Sequence, residues 1–222
     1  DMTTLSPDMT VTAIAGDLPG AAELFRTKGI NFCCGGNIAL SEAALKAGVL
    51  PDALIAELQA LADAAGRDAP EATPALIAHI LKRYHETHRT ELEWLIPLAQ
   101  KGERVHGDHE AAPLGLTEAL IALHDDLDAH MAKEEAVLFP MMLQGGHAMI
   151  VHPITQMRHE HDDAAGLLAR VEHAAHGLAL PEGACGSWTA LYTGLRKFSE
   201  DLVAHMHLEN TVLFARFEPG HA

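Results

Sequence analysis

Apolar residues recur at spacings of three and four along four long stretches in the last two-thirds of the chain. This period is typical of amphipathic α-helices, because residues at i, i+3, i+4 and i+7 share one helix face. The pattern predicts four long helices, at about residues 74–101, 113–143, 149–176 and 184–217. Four such helices with short connections favour an antiparallel four-helix bundle.

The residues before these stretches predict a smaller helical unit. Short apolar-periodic segments alternate there with Gly and Pro, and the turn GINFCCGGN at 29–37 separates two of them. Residues 66–74, GRDAPEATP, hold one Gly and two Pro and are typical of a linker. We therefore predict an all-α chain divided into a helical unit at 1–65, a linker at 66–74 and a bundle at 75–222.

The amino-acid composition favours a helical structure and disfavours some classes of binding partner. Apolar residues make up 48% of the chain and aromatic residues only 5%, a balance that favours helix over sheet. The formal net charge of −16 disfavours nucleic acid and anionic membranes as partners, because both are polyanions. Three cysteines, without a basic and apolar leader at the first residues, do not resemble a disulfide framework. We expect a cytoplasmic protein, and the question of a homodimer stays open.

Two stretches of the predicted bundle are nearly alike, HMAKEEAVLF at 130–139 and HMHLENTVLF at 205–214. Each holds His-x-x-x-Glu, and residues four apart lie on one helix face, about 6 Å apart along the axis. A single His precedes each copy at a matching interval, His85 before the first and His161 before the second. The chain therefore resembles two helical hairpins, each with one His on its first helix and His-x-x-x-Glu on its second.

The repeated His-Glu pairs are expected to face the bundle interior, with Val137 and Leu138 continuing the first stripe. A buried carboxylate without a partner costs several kcal/mol, and a bound metal ion removes that cost. Imidazole and carboxylate together suit iron, zinc or manganese. The predicted ligands of two metal ions, with both glutamates bridging, are His85, His130, Glu134, His161, His205 and Glu209. Whether His88 is a further ligand stays open.

Several motifs resemble those of the RIC (repair of iron centres) family, which includes ScdA and NorA-like proteins. They are GINFCCGGN, RYHETHR, HMAKEEAVLFP, EHDDAAGLL and HMHLENTVLF, and the resemblance covers nearly the whole chain. It implies an N-terminal ScdA-type domain followed by a hemerythrin-like four-helix bundle. It also implies two non-haem Fe ions bound by the same six residues. An oxo or hydroxo bridge between them is expected from charge, because two carboxylates and an oxide reduce the six positive charges of two ferric ions to two.

The resemblance implies a role in the nitrosative and oxidative stress response. It implies repair of damaged iron-sulfur proteins, with nitric oxide bound or reduced to nitrous oxide at the di-iron centre and electrons from an unidentified donor. Whether the protein is an enzyme stays open. The alternatives are a hemerythrin-like carrier or sensor of O2 or NO, and an iron donor without turnover. Four histidine ligands, where oxygen carriers use five, favour chemistry over oxygen carriage.

Four further residues are candidates for chemistry. The resemblance implies that adjacent Cys33 and Cys34 act in redox or iron transfer, and a disulfide between neighbours would be easily reduced. The alternative is that both only pack the small helical unit. Glu160 precedes His161, and Asp126 lies one turn before His130, so both are candidate proton carriers, the alternative being ordinary acidic residues.

Overall fold

The computed structural model describes residues 4–33 and 37–220, and the regular structure of these residues is helical. In chain order the α-helices are α1 (Val11–Asp17), α2 (Ala21–Lys28), α3 (Leu40–Lys46), α4 (Pro51–Ala64), α5 (Thr73–Ile80), α6 (Glu86–His106), α7 (Leu116–Lys133), α8 (Phe139–Leu143), α9 (Val151–Ala174) and α10 (Gly186–Leu208). Thr10 and Ala39 form an isolated antiparallel bridge. The prediction of an all-α chain is confirmed.

Four long helices form the bundle, and three of them contain a π-helical turn. The first bundle helix consists of α5, a π turn at Leu81–His85 and α6, and the second consists of α7, a π turn at Glu134–Leu138 and α8. The third bundle helix is α9. The fourth consists of α10, a π turn at Glu209–Leu213 and a 3-10 turn at Phe214–Phe217. The first helix packs against the second and fourth, and the second packs against the third. The predicted four-helix bundle is therefore confirmed.

The first bundle helix is longer than the apolar pattern predicts. It continues past residue 101 to His106, with Gly102 inside the helix. The following connection is held by Glu103, whose carboxylate accepts the backbone N–H groups of Gly115 and Thr117 at 2.6 and 3.0 Å.

The bundle core consists of two apolar layers. One layer includes Leu92, Leu127 and Leu202, and the other includes Ile80 and Phe214. Along each bundle helix, the predicted metal ligands lie between residues of the first layer and residues of the second. The predicted ligands therefore form a polar slab between the two apolar layers.

The N-terminal helices enclose their own apolar cluster and also contact the bundle. Buried side chains from Val11 to Ala62 pack together in this cluster. The N-cap of α1 is Thr10, whose hydroxyl accepts the N–H of Ala13 at 3.2 Å. Helix α1 lies against α9 and α10. The division at 1–65, 66–74 and 75–222 stays a prediction.

Across the described part of the chain, no helix has both the length and the apolar composition that crossing a lipid bilayer requires.

Candidate metal centre

The π turns lie where three bundle helices carry predicted ligands. His85 ends the first π turn, while Glu134 and Glu209 begin the second and third. In the latter two, the N–H groups of Phe139 and Phe214 bond to the carbonyl oxygens of these glutamates, five residues back. Single π turns within α-helices are frequent at functional sites. Here each π turn begins or ends at a predicted ligand.

All six predicted ligands meet in the polar slab between the two apolar layers. Each imidazole Nε2 lies near a glutamate oxygen: His85 to Glu134 at 3.4 Å, His130 to Glu134 at 3.2 Å, His161 to Glu209 at 2.9 Å, and His205 to Glu209 at 3.2 Å. The Nε2 atoms of His130 and His161 lie 3.1 Å apart. Both glutamates are fully buried. Apart from these contacts with the imidazoles, their side-chain oxygens have no hydrogen-bond partner among the described residues. Nε2 of His85 and of His205 likewise has none apart from the glutamates.

These residues form two groups of four that could each hold a metal ion. The first group is His85, Glu134, His205 and Glu209, and the second is His130, Glu134, His161 and Glu209. Glu134 and Glu209 belong to both groups, so each could bridge two ions. Each group takes two residues from the hairpin of the first two bundle helices and two from the hairpin of the last two. Neither hairpin contains a complete group.

The other ring nitrogen of each histidine has a partner that orients the ring. Nδ1 of His85 lies 2.6 Å from Glu135, that of His130 lies 3.2 Å from Glu160, that of His161 lies 2.7 Å from Asn210, and that of His205 lies 3.0 Å from Nε2 of His88. A partner that accepts the Nδ1–H of a histidine leaves the Nε2 lone pair for a metal. All four imidazoles thus direct Nε2 into the slab.

With no metal bound, the surroundings shift the pKa values of His130, His85 and His205 in different directions. Burial opposes protonation of His130, but the charge and hydrogen bond of Glu134 outweigh it and raise its pKa to about 9. Burial is likewise outweighed at His85, whose pKa is raised by a hydrogen bond to Glu134. At His205, burial and then the charge of His85 hold the pKa well below its usual value. Burial also opposes ionisation of Glu209, but a hydrogen bond to His161 lowers the pKa of this carboxyl.

The two candidate proton carriers lie beside the site and belong to neither group of four. Glu160 is buried and contacts His130 Nδ1, Lys133 Nζ at 2.9 Å and Gln156 at 3.0 Å. Burial opposes its ionisation, but the hydrogen bond from Lys133 lowers the pKa of Glu160. Asp126 is half-buried with one carboxylate oxygen unpartnered, and burial followed by the charge of Asp163 raises its pKa.

Cys33 and His88 also fall outside the groups of four. Cys33 is half-buried at the contact between the N-terminal helices and the bundle, and Cys34 lies outside the described residues. His88 is fully buried, but its Nε2 faces His205 and not the slab. Burial and the neighbouring His205 hold the pKa of His88 well below its usual value. His88 is therefore a hydrogen-bond partner of a predicted ligand.

Sequence reasoning missed three residues that contact the predicted ligands. Glu135 binds His85 and is itself held by Arg89 at 2.8 Å, while Asn210 binds His161. Each directly follows the glutamate of its copy of the repeated motif. Their matching positions in the repeat were the sequence signal that could have identified them. Tyr84 stacks on His205 with ring centroids 5.3 Å apart. No sequence signal singled out this tyrosine.

The fold and the site together define a hemerythrin-type bundle with a buried His/Glu metal site. A family model described as "Hemerythrin HHE cation binding domain" matches residues 76–217, and the ScdA_N model, "Domain of Unknown function (DUF542)", matches residues 7–62.

Two relatives that are similar over nearly the whole chain define the family more narrowly. The "Iron-sulfur cluster repair protein YtfE" of Pectobacterium carotovorum subsp. carotovorum (strain PC1) is 45% identical over 212 residues, 94% of this chain and 96% of the relative. The protein of the same name from Escherichia coli O1:K1 / APEC is 41% identical over 217 residues, 96% of this chain and 98% of the relative. The chain belongs to the RIC family, so the resemblance drawn from its motifs is confirmed.

Proposed function

We propose that the protein holds two iron ions bridged by Glu134 and Glu209. His85 and His205 would complete one position, and His130 and His161 the other. The observation that carries this proposal is the pair of four-residue groups that share two buried carboxylates. Two carboxylates buried among imidazoles, with no other hydrogen-bond partner for their oxygens among the described residues, form a donor set that a bound cation would stabilise. Iron is the metal that the hemerythrin match and this donor set favour, and an oxo or hydroxo bridge belongs to the same proposal.

Metal analysis after anaerobic loading with ferrous iron tests this part of the proposal. We expect two irons per chain in the wild type and fewer in His161→Gln. His159→Gln is a matched control, because His159 is exposed on the same helix, two residues away. Glu134→Gln should weaken the magnetic coupling between the two irons. A folded wild-type chain that binds one iron or none would contradict the proposal.

The function that this site supports best is repair of damaged iron-sulfur proteins. Two similar proteins carry this role in their names. We further propose that the centre binds nitric oxide or O2, and that it reduces nitric oxide to nitrous oxide with electrons from a separate donor. Two ferrous ions would supply two electrons and two adjacent binding positions. The cytoplasm is the proposed location, since its reducing poise keeps thiols such as Cys33 available.

The protein's own residues would bind, orient and move protons in this reaction. The Nδ1 partners hold the histidine rings in place, and the apolar layers above and below exclude water. Glu160 and Asp126 are the proposed proton carriers, because both are acids beside His130 and outside the ligand groups.

The product formed when nitric oxide is added anaerobically to the diferrous protein separates the alternatives. We expect nitrous oxide, and slower formation in Asp126→Asn at equal iron loading. Asp125→Asn is the matched control, because this exposed neighbour lies on the same helix. Stable nitrosyl complexes without nitrous oxide would favour a carrier or sensor. Loss of iron to a mild chelator with rebuilding of an apo-cluster would favour an iron donor.

The N-terminal unit is proposed to act with the bundle through Cys33 and Cys34, in redox or iron transfer. No described cysteine belongs to the ligand groups. The double variant Cys33→Ala/Cys34→Ala should keep its iron and slow reduction or iron transfer. Equal rates at equal iron loading would remove the cysteines from the mechanism.

A further inference from the structure

The segment that carries Cys33 lies directly on the bundle. Nδ1–H of His173, near the end of α9, donates to the carbonyl oxygen of Cys33 at 3.2 Å. Just beyond this helix, a Cβ added to Gly177 would lie 3.2 Å from the sulfur of Cys33. Arg26 of the N-terminal unit donates from Nε to the carbonyl oxygen of Gly177 at 3.3 Å. The surroundings of this cysteine are therefore supplied partly by the other half of the molecule.

The bundle segment under Cys33 has an uncommon backbone conformation. His176, Gly177 and Leu178 have φ angles of 52°, 69° and 62°, all in the left-handed region. Residues with a Cβ rarely adopt this region, and such outliers persist only where their surroundings hold them. Here Nε2–H of His176 donates to the carbonyl oxygen of Ala112 at 3.0 Å, and the side chain of Leu178 is buried. The turn is therefore fixed from the bundle side.

Two unpartnered polar atoms adjoin Cys33. A cavity of about 30 Å³ is lined by Cys33, Glu172 and Ser199, among others. Glu172 and Ser199 are 4% and 3% exposed, yet Oε2 of the first and Oγ of the second have no hydrogen-bond partner among the described residues. Arg26 holds the other oxygen of Glu172 at 2.5 Å. A cavity of this size, with these two polar atoms in its largely apolar lining, has room for a water molecule.

We propose that Gly177 and His173 are positioning residues for Cys33. Together they form a contact surface, here called the seat, that holds Cys33 against the bundle. The seat lies beside the cavity lined by Glu172 and Ser199. The seat limits access to the sulfur, so docking of the two halves of the molecule controls how fast this cysteine reacts. Gly177 suits the seat because only glycine combines a positive φ with room for the sulfur. This inference deepens the proposed role of Cys33 and rests on it.

The test compares two glycines that share a backbone conformation and differ in their contacts. Gly177 has φ +69° and adjoins Cys33, whereas Gly183 has φ +78° and no atom within 4 Å of an added Cβ. Both Gly→Ala variants incur the same kind of backbone strain. Only Gly177→Ala should displace the cysteine segment and expose the sulfur.

The measurement is the rate at which reduced Cys33 reacts with iodoacetamide in the full chain, followed by peptide mass spectrometry. A Cys34→Ser background makes the signal specific to Cys33. We expect a several-fold faster rate in Gly177→Ala and a wild-type rate in Gly183→Ala. His173→Ala should also accelerate the reaction, and His173→Gln, which keeps an N–H donor, should restore the wild-type rate.

Equal rates in the two glycine variants would overturn the proposal. If Gly177→Ala does not fold, the histidine pair decides, and equal rates in His173→Ala and His173→Gln overturn it. The alkylation rate measures positioning alone. A cluster-repair assay on the same variants measures the proposed function, so the failure of one is distinguishable from the failure of the other.

Discussion

Metal binding at the position that contains His130 should release a proton and tighten as the pH rises. With no metal bound, burial opposes protonation of this imidazole, but Glu134 outweighs burial and raises the pKa of His130 to about 9. A metal ion must displace that proton, because it needs the same nitrogen lone pair. A solution at pH 7 is about two pH units below the pKa of His130, so most of the rings carry the competing proton. This lowers the apparent affinity for the metal roughly a hundredfold, at about 1.4 kcal/mol per pH unit.

Zinc is a suitable probe, because it is redox-silent and accepts imidazole and carboxylate ligands. Its apparent dissociation constant, from competition with a chromophoric chelator, should fall about tenfold per pH unit from pH 7 to 9 and then level off. His159→Gln should behave like the wild type, since His159 is exposed and outside the ligand groups. His130→Gln should bind more weakly and show a shallower dependence on pH.

The same residue makes the metal-free protein less stable at high pH. The pKa of His130 is raised from 6.5 in the unfolded chain to about 9 in the folded one. Its stabilising contribution is therefore fully present below pH 6.5 and is lost as the pH rises through about 9. The difference in unfolding free energy between wild type and His130→Gln should shrink by up to about 3 kcal/mol between pH 6 and 10. Suppose that the zinc affinity does not depend on pH and that the stability difference between wild type and His130→Gln stays constant. These two results would show that His130 is not protonated at neutral pH in the metal-free protein.

Four other predictions concern stability. Arg26→Met leaves the buried carboxylate of Glu172 unpaired, so urea denaturation should show a loss of about 3–5 kcal/mol. Adding Glu172→Gln should recover most of this loss, and no recovery would contradict the ion-pair explanation. Gly166→Ala should stabilise by about 1 kcal/mol, because an added Cβ meets no atom within 4 Å. Gly194→Ala should destabilise by about 1–3 kcal/mol, because its Cβ would overlap the ring of Trp94, and a stabilised variant would show that the ring moves aside. Removing bound metal should lower the melting temperature, by the equivalent of about 4 kcal/mol where free metal exceeds Kd a thousandfold, and an unchanged melting curve would contradict a structural contribution of the metal.

Periodicity predicted the bundle because helices of this length bury one continuous apolar face. The repeat also singled out the residues that meet in the slab, since a buried His four residues from a buried Glu recurs in both hairpins. That these residues bind iron stays a prediction.

The remaining features depend on contacts that a helical pattern does not contain. Val137 was expected on the inner face with Leu138, but it is 54% exposed. The π turn that begins at Glu134 has more than four residues per turn, so Leu138 lies below Glu134 and Val137 turns outward. The left-handed turn at His176–Leu178 depends on contacts with Ala112 and Arg26, which are distant in sequence.

Both groups of four combine residues from the two hairpins, and this arrangement indicates a route by which such a site could arise. Since each group of four takes two residues from each hairpin, one hairpin paired with an identical copy would form both groups about a two-fold axis. The single chain joins the two copies covalently, so their sequences are free to diverge at positions that symmetry would otherwise keep equal. Glu135 and Asn210 occupy equivalent places and bind equivalent histidines with different charge, and His88 corresponds to Ala164. Divergence after duplication thus allows two chemically distinct metal positions, which a symmetric dimer of hairpins could not have.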